Sequence, residues 1–305
     1  MGTQIREFIT MAPWRMRLLF KFAPKDLSKP KNAKRILKFF GERSEQQRGS
    51  IIEYLEDVSK TDEHYIRVYE SSECWGFENI GTAMDPLSPP LVAGICMGIE
   101  KKDRDWNSVE TKCIGLGDPH CEYKVVPREI DELRDSLEKD SLVIQRIQNN
   151  LMDRLVGFLL EGKPLVERPK LGNSVYFEAF SQATALPAVA GERYRMATRM
   201  GGTKSGKRIG EYLMDAELGK DEAMKRILNF LEYCKVGKIT ANETIRIKEN
   251  CEGIQIRTYT TKAKEPSCFF TTGFLNGFFY AVENQHVEET KCIAIGDPYC
   301  EWAFR

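Results

Sequence analysis

The sequence has no excess of charge of either sign and no long apolar run. Its 305 residues include 45 Lys and Arg and 45 Asp and Glu, so the formal net charge at pH 7 is zero. A neutral chain lacks the overall positive field that attracts nucleic acids or anionic membranes. No apolar stretch approaches the ~20 residues that span a bilayer, and the first residues show no secretory signal pattern. We therefore expect a cytoplasmic protein with no nucleic-acid or membrane partner.

Signals of catalysis are also scarce. The three histidines, His64, His120 and His286, are scattered, and their spacing supports no Ser/His/Asp or Cys/His pairing. No Gly-x-Gly-x-x-Gly segment follows a strand pattern, so a dinucleotide site is not indicated. GGTKSGKR, at residues 201–208, has phosphate-loop spacing but lacks the final Ser or Thr and the preceding apolar strand, which favours a glycine-hinged helix start. These absences weigh against an enzyme without excluding one.

One motif occurs twice, near the middle of the chain and at its end. ETKCIGLGDPHCEY spans Glu110–Tyr123, and ETKCIAIGDPYCEW spans Glu289–Trp302, 179 residues later. Both copies keep Glu-x2-Cys-x7-Cys around Gly-Asp-Pro. In both halves an amphipathic helix pattern, an alternating strand pattern and a glycine pair spaced by four residues precede the motif. The sequence thus indicates an internal duplication, and the glycine spacing predicts a helix that packs closely against a neighbour.

The two halves differ in completeness. Residues 128–162 show apolar positions at three- and four-residue spacing, which predicts a helical connector. Residues 163–305 contain a fuller portion ahead of the motif, whereas the first half, residues 1–127, begins late. We therefore predict a degenerate first domain, the connector and a complete second domain. Each half is long enough to bury an ordinary core.

The repeated motif is typical of a β-hairpin that gathers metal ligands. A β-branched residue follows the first cysteine, Gly-Asp-Pro predicts a turn, and an outgoing strand follows. Folding the hairpin brings both cysteines together with the glutamate. A disulfide is the rival interpretation, but it needs no glutamate, whereas carboxylate and thiolate both bind tetrahedral zinc. In the second half Cys268 is an available fourth donor, so the predicted structural zinc site comprises Cys268, Glu289, Cys292 and Cys300.

The equivalent site in the first half is less complete. Pro89 occupies the position aligned with Cys268, so Cys96, Cys74 or His120 would have to replace it, or the site is empty. The candidate set is Glu110, Cys113, Cys121 and Cys96. A metal-free interpretation, with paired core thiols beside a turn, stays open for both halves. The odd total of nine cysteines favours metal ligation or reduced thiols over a disulfide framework.

The motif and its surroundings resemble the 4-vinyl reductase domain family. The terminal hairpin, the preceding glycine-containing helix and the segment ESSECWGFENIG carry the resemblance, which covers Arg168–Arg305 and, in the first half, Lys31–Val126. It implies an α+β fold related to nitric-oxide-sensing modules and to subunits of vesicle-tethering complexes. Sensors of this family use a Cys, Glu, Cys, Cys zinc site to brace an apolar pocket, and their domains dimerise. We therefore expect two tandem copies of a helix plus antiparallel-sheet ligand-binding domain, packed as a pseudo-dimer.

An aromatic-rich segment indicates where a ligand would bind. CFFTTGFLNGFFYA, which begins at Cys268, has more aromatic volume than a helix usually needs, and its glycines would open space beside the rings. Aromatic residues at helical spacing are more often core than pocket, so both interpretations stay open. With the helical segment ahead of it, the candidate ligand contacts are Phe270, Phe274, Phe278, Tyr194, Arg199 and Tyr212.

These observations favour a binding protein. The leading hypothesis is a sensor or carrier for a hydrophobic small molecule, aromatic or tetrapyrrole-like, with zinc as a structural brace. It would act alone, through a protein effector or as a homodimer. The family name supports an alternative, a vinyl reductase or an accessory factor in tetrapyrrole metabolism. The resemblance to vesicle-tethering subunits supports a third, an interaction scaffold.

Overall fold

The computed structural model describes residues 21–84, 88–100, 104–130, 141–174, 191–259 and 263–305. The chain divides into two compact units, Met1–Ser174 and Val175–Arg305. The described residues form seven α-helices and two four-stranded sheets. This architecture confirms the predicted α+β class. Within these ranges no helix combines the length and the apolarity needed to cross a bilayer.

The first unit contains a sheet with one helix before it and a second helix inserted between its strands. In chain order its elements are α1 (Pro30–Gln46), β1 (Ile51–Tyr54), β2 (His64–Tyr69), α2 (Ser88–Ile99), β3 (Asn107–Lys112), β4 (Cys121–Val126) and α3 (Ser141–Glu161). The strand order is β1-β2-β4-β3, and every neighbouring pair is antiparallel. The repeated motif thus supplies β3 and β4, at one edge of the sheet and beside it.

The second unit repeats this arrangement. Its elements are α4 (Glu192–Asp215), α5 (Lys220–Tyr233), β5 (Lys238–Ala241), β6 (Thr244–Lys248), α6 (Cys251–Tyr259), α7 (Phe269–Glu283), β7 (Val287–Lys291) and β8 (Cys300–Phe304). The strand order β5-β6-β8-β7 matches that of the first unit, again antiparallel throughout. Helix α5 corresponds to α1, and α7 corresponds to α2. The duplication read from the sequence is therefore a duplication of fold.

The alternating strand patterns place one face of each sheet on a core. In β2 the side chains of His64, Ile66 and Val68 are buried, and in β6 those of Ile245 and Ile247 are buried. Successive side chains of a strand point to opposite faces, so this period of two covers one face and leaves the other more open. The strands predicted ahead of both motifs are confirmed.

An aromatic residue of the last strand anchors each core. Tyr123 of β4 and Trp302 of β8 occupy equivalent places at the end of the repeated motif, and both are fully buried. The Trp302 Nε1–H donates a hydrogen bond to the Thr272 hydroxyl of α7 over 2.9 Å. A buried indole N–H that keeps a partner avoids the desolvation penalty of an unpaired donor. The last strand thereby fixes α7 against the sheet.

The predicted connector and the segment after it belong to the first unit. The Arg154 guanidinium of α3 lies 4.4 Å from the centroid of the Phe77 ring, and buried Arg168 donates a hydrogen bond to the Glu70 carbonyl oxygen over 3.0 Å. The boundary between the units follows Ser174, whereas the sequence placed it before residue 163. Glycine and proline do end α3 there, but hydrogen bonds hold the next segment to the first unit.

Helices α4 and α7 pack with their backbones in contact. A Cβ atom on Gly206 of α4 would lie 2.0 Å from the Phe274 carbonyl oxygen, and one on Gly277 of α7 would lie 2.0 Å from the Thr203 carbonyl oxygen. The predicted close packing of the glycine-containing helix is confirmed. The predicted opening of space at Gly277 is wrong, because the α4 backbone fills it. Residues 201–208 lie inside α4, so the predicted helix start there is also wrong.

Candidate metal centres

Each hairpin of the repeated motif turns through a loop that an aspartate stabilises. In the second unit Gly296 has a φ of 108°, a left-handed conformation that favours glycine. Asp297 Oδ2 accepts a hydrogen bond from the Cys292 backbone N–H over 2.8 Å. Asp118 accepts the same bond from Cys113 over 2.9 Å in the first unit. These aspartates cap the turns, as the sequence predicted.

An irregularity in the strand pairing accompanies the glutamate of each motif. The register between β7 and β8 shifts between Glu289 and Lys291, and that between β3 and β4 shifts between Glu110 and Lys112. A bulge changes the direction in which the neighbouring side chains point. In the second unit Glu289 Oε2 accepts a hydrogen bond from the Cys268 backbone N–H over 3.1 Å. The carboxylate thus reaches the N-terminus of α7.

The four residues predicted to bind zinc in the second unit meet at one point. The ligand atoms of Cys268, Glu289, Cys292 and Cys300 all lie within 4.8 Å of one another. The Cys268 sulfur is 3.6 Å from each of the other two sulfurs. Zinc–sulfur bonds of about 2.3 Å at tetrahedral angles would hold the sulfurs ~3.8 Å apart. The spacing fits tetrahedral coordination, and all nine cysteines of the chain are free thiols.

Burial makes this cluster unfavourable for negative charge unless a cation is bound. Burial raises the pKa of the Cys268 thiol well above its usual range. It also raises the pKa of Glu289 to about 9, and the neighbouring Cys292 sulfur adds to the effect. Hydrogen bonds from Cys268 and Cys300 lower the pKa of Cys292, so one thiolate is favoured. A thiophilic divalent cation would offset the charge of further thiolates and of the carboxylate.

One carboxylate oxygen of Glu289 is available for a metal. Its Oε1 is buried and has no hydrogen-bond partner among the residues that the structure describes. A buried acceptor without a donor costs about 1–3 kcal/mol. Coordination to a cation among the three sulfurs would satisfy this oxygen. The donor set therefore fits a metal ion both in its spacing and in this unsatisfied atom.

Amide groups next to the sulfurs support the same conclusion. The Asn250 side-chain amide donates to the Cys268 sulfur over 3.7 Å, and the Ile293 backbone N–H donates to the Cys300 sulfur over 3.3 Å. Hydrogen bonds of this kind favour thiolate and orient metal ligands. Asn250 is fully buried. It lies outside the repeated motif, and the sequence analysis did not identify it.

Glu252 is a second residue that the sequence analysis missed. Its Oε1 accepts a hydrogen bond from the Phe270 N–H over 2.9 Å, and its Oε2 accepts bonds from the Thr271 N–H and hydroxyl over 2.9 and 2.7 Å. The first N–H groups of a helix have no partner within it. Glu252 is fully buried, and burial raises its pKa to about 7. It caps α7 from α6, so no local capping pattern marks it.

A second cluster of four donors is present in the first unit. The ligand atoms of Cys74, Glu110, Cys113 and Cys121 lie within 4.8 Å of one another, and the Cys113 and Cys121 sulfurs are 3.9 Å apart. Hydrogen bonds from the Cys121 and Cys74 thiols lower the pKa of Cys113. Of the three residues considered for the fourth position, the structure brings Cys74 to the cluster.

The other two candidates lie elsewhere. Cys96 is buried in α2, outside this set of four, and burial raises the pKa of its thiol to about 12. In the second unit the equivalent helix meets its cluster at its N-terminus, and Cys96 lies about two turns, or ~11 Å, further along α2. The His120 ring packs 5.6 Å from that of Tyr69. The structure therefore replaces Cys96 by Cys74 in the first-unit set.

Comparison with known proteins places the second motif in a family. Residues 250–305 match the family model of the vinyl-4-reductase domain. This segment is a vinyl-4-reductase domain. The predicted 4-vinyl reductase family is thus confirmed for the end of the chain. The uncharacterized protein MJ0855 of Methanocaldococcus jannaschii is 33% identical over 98 residues, which are 28% of this chain and 41% of the relative.

The chain spans about two fifths of that curated relative. Two solved structures are also similar. The phenol-responsive sensory domain of the transcription activator PoxR, determined with phenol, has 15% identity and a TM-score of 0.37 over 50% of this chain and 89% of its own. A vinyl-4-reductase family protein of Methanocaldococcus jannaschii has 14% identity and a TM-score of 0.31 over 55% and 96%. With similarities this low, neither structure assigns a role to a residue here.

The predicted ligand contacts of the vinyl-4-reductase domain and the helix before it fall into two groups. On α7, Phe274 and Phe278 are buried and Phe270 is half-buried. The contacts predicted on α4 are exposed, and they are Tyr194, Arg199 and Tyr212. The structure therefore places part of the predicted set in the core and the rest at the surface.

Proposed function

We propose that this protein binds a hydrophobic small molecule, as a sensor or carrier, and that a structural zinc ion braces its vinyl-4-reductase domain. The observation that carries the proposal is the closed set of donors formed by Cys268, Glu289, Cys292 and Cys300. Three sulfurs and one carboxylate fill the four positions of tetrahedral zinc and leave none for a substrate or a reactive water. A closed set supports a structural role for the metal rather than a catalytic one.

The donors come from the elements that would hold the ligand-binding helix in place. Cys292 and Cys300 flank the turn of the β7–β8 hairpin, and Cys268 immediately precedes α7. Bound zinc would supply the positive charge that lets these buried thiolates and the carboxylate lie together. The hairpin and the start of α7 would then be joined through the metal, in addition to the hydrogen bond between Trp302 and Thr272.

The chemistry of α7 supports an aromatic or tetrapyrrole-like ligand. The Phe270 and Phe274 rings are stacked with centroids 6.1 Å apart, and Phe270 is the more accessible of the two. Apolar sites commonly combine such rings with a few polar groups that orient the ligand. The proposed polar contacts are Tyr194, Arg199 and Tyr212 of α4, with Phe278 as a further apolar contact. Phe270 is the first residue to test.

Metal content tests the zinc part of the proposal. The full chain purified without chelator should contain zinc, and Cys292→Ser should lose the second-unit ion. Cys234→Ser removes a buried thiol that belongs to neither cluster, and this control should keep the wild-type zinc content. Wild-type protein without zinc, or Cys292→Ser with unchanged zinc, would contradict the brace.

Calorimetry with phenols, polycyclic aromatics and tetrapyrroles tests the ligand part. Phe270→Ala should weaken binding of the preferred compound at least about tenfold, which corresponds to ~1.4 kcal/mol. Tyr280→Ala removes an exposed aromatic residue of the same helix and should leave the affinity unchanged. Absence of binding to every compound would favour the scaffold alternative. Turnover that depends on NAD(P)H or flavin would favour the reductase alternative.

A further inference from the structure

The fourth donor of each cluster comes from a different position in the repeated fold. The other three donors correspond in pairs at a constant separation of 179 residues, as Glu110 with Glu289, Cys113 with Cys292 and Cys121 with Cys300. The same separation places Cys74 opposite Gly253, and Pro89 opposite Cys268. Each unit therefore has a cysteine at one of two positions, and the two units use opposite ones.

Backbone geometry supports this correspondence outside the motif. Glu70 follows β2 and Glu249 follows β6, again 179 residues apart, and their φ angles are 51° and 57°. Positive φ is uncommon for residues other than glycine. The two loops therefore leave their strands in the same way. Cys74 and Gly253 each come four residues later, so they occupy equivalent places.

Gly253 shows where a side chain at this place would point. A Cβ atom on Gly253 would lie 3.1 Å from the Cys300 sulfur and 3.4 Å from the Cys268 sulfur. A side chain in this position is therefore directed at the sulfur cluster. In the first unit the position holds Cys74, whose thiol is fully buried and hydrogen-bonds with both other sulfurs.

The position that the first unit leaves without a thiol is also accounted for. Pro89 is buried in the first turn of α2. Proline suits this turn, because the N–H that it lacks would have no partner within the helix. In the second unit Cys268 at the same place offers both its sulfur and the N–H that bonds to Glu289. Pro89 offers neither, so the first unit needs its fourth donor from another segment.

We propose that the first unit holds a metal ion of its own, bound by Cys74, Glu110, Cys113 and Cys121. The loop after β2 supplies the donor that the residue before α7 supplies in the second unit. This inference rests on the proposed zinc brace and extends it to a site with a different fourth position. The donors are again three sulfurs and one carboxylate, so zinc is the expected ion. The chain then binds two metal ions, and the two fourth positions are interchangeable.

Loss of the fourth donor is the direct test, made on the full chain. Wild-type protein and the control Cys96→Ser should each contain two zinc ions per chain, and Cys74→Ser should contain one. When Co²⁺ replaces zinc, the thiolate-to-cobalt charge-transfer absorption should fall in Cys74→Ser and stay unchanged in Cys96→Ser. Should Cys74→Ser fail to fold, Cys74→Asp keeps a carboxylate donor and should bind Co²⁺ with weaker charge-transfer absorption than wild type.

Exchange of the two positions is a gain-of-binding test in the second unit. Cys268→Ala should lose one zinc ion, and addition of Gly253→Cys to that variant should restore it. A double variant that stays one ion short would overturn the interchangeability. Two zinc ions in Cys74→Ser, or a single ion in wild type that Cys292→Ser removes, would overturn the first-unit site and leave the second-unit brace intact. Wild type without zinc would contradict both.

Discussion

The carboxylate of Glu252 accepts hydrogen bonds at the N-terminus of α7 from a different helix. Glu252→Ala would leave the N–H groups of Phe270 and Thr271 without this acceptor. We expect the variant to lower the free energy of unfolding of the second unit by about 2–4 kcal/mol. Arg257→Ala changes an exposed residue of the same helix and should alter it by less than about 0.5 kcal/mol. Urea denaturation measures both, and equal effects would contradict the capping role.

His64 is a buried residue of the first unit that is suited to the neutral state. Its Nε2 lies 2.7 Å from the Leu27 carbonyl oxygen and its Nδ1 lies 3.0 Å from the Tyr54 hydroxyl. Neutral imidazole satisfies both bonds, because one nitrogen donates and the other accepts. The ring stacks on Trp106 with centroids 5.6 Å apart. Burial lowers the pKa of His64 below its usual 6.5, and Arg104 acts in the same direction.

Acid should therefore destabilise the first unit through His64. The unfolded chain, whose His64 pKa is higher, takes up a proton first as the pH falls. The contribution is full above about pH 6.5 and is lost below it, by at most ~1.4 kcal/mol at about pH 5.5. Thermal unfolding should show a smaller acid-induced loss for His64→Gln than for wild type. The exposed control, His286→Gln, should match wild type, and an unchanged pH dependence in His64→Gln would rule out this role.

Donors within the repeated motif could be predicted from sequence, because a short hairpin necessarily brings its two strands together. The fourth donor of the first unit could not be chosen among three candidates. Cys74 lies on a separate loop, and the second half has Gly253 in its place, so comparison of the halves showed no second cysteine there. Asn250 and Glu252 act on segments distant in sequence, and neither belongs to a local pattern.

The contact between α4 and α7 depends on glycine at defined places. Gly206→Ala would place a methyl group 2.0 Å from the Phe274 carbonyl oxygen, so the helices must move apart. We expect a loss of about 1–3 kcal/mol in the free energy of unfolding. Gly201→Ala is the matched control in the same helix, with nothing within 4 Å of the added methyl. It should be neutral or stabilising by up to about 1 kcal/mol, and the opposite order of stabilities would contradict this packing.

Secondary elements were predictable where hydrophobic period and turn chemistry agree. The hairpins, the strands ahead of them and the amphipathic helices all follow from such local patterns. The domain boundary did not, because Arg168 and its neighbours bond to the loop after β2, and such long-range bonds have no signature in the sequence. Residues 201–208 were misread for a related reason. Their glycines serve a helix contact, whereas locally they resemble a break.

At the scale of the whole molecule, two units of one strand order each contain a donor cluster. Removal of zinc would leave three buried thiols and a carboxylate together in each, so the folded state should lose stability. We expect a chelator to lower the melting temperature by on the order of 10 °C. Added Zn²⁺ should reverse the change and Mg²⁺ should not, because Mg²⁺ prefers oxygen donors. A melting temperature that stays constant after verified zinc removal would contradict a structural role.

The backbone contact between α4 and α7 also determines how quickly a ligand could reach the core phenylalanines. Side chains rotate within nanoseconds, but the groups that meet here are backbone carbonyls and amides, which cannot turn aside. Access to Phe274 or Phe278 would need separation of two helices, a collective motion of roughly microseconds to milliseconds. The observed association rate would then level off as ligand concentration rises, at the rate of helix opening. Such a protein would respond to how long an effector persists as well as to how much of it is present.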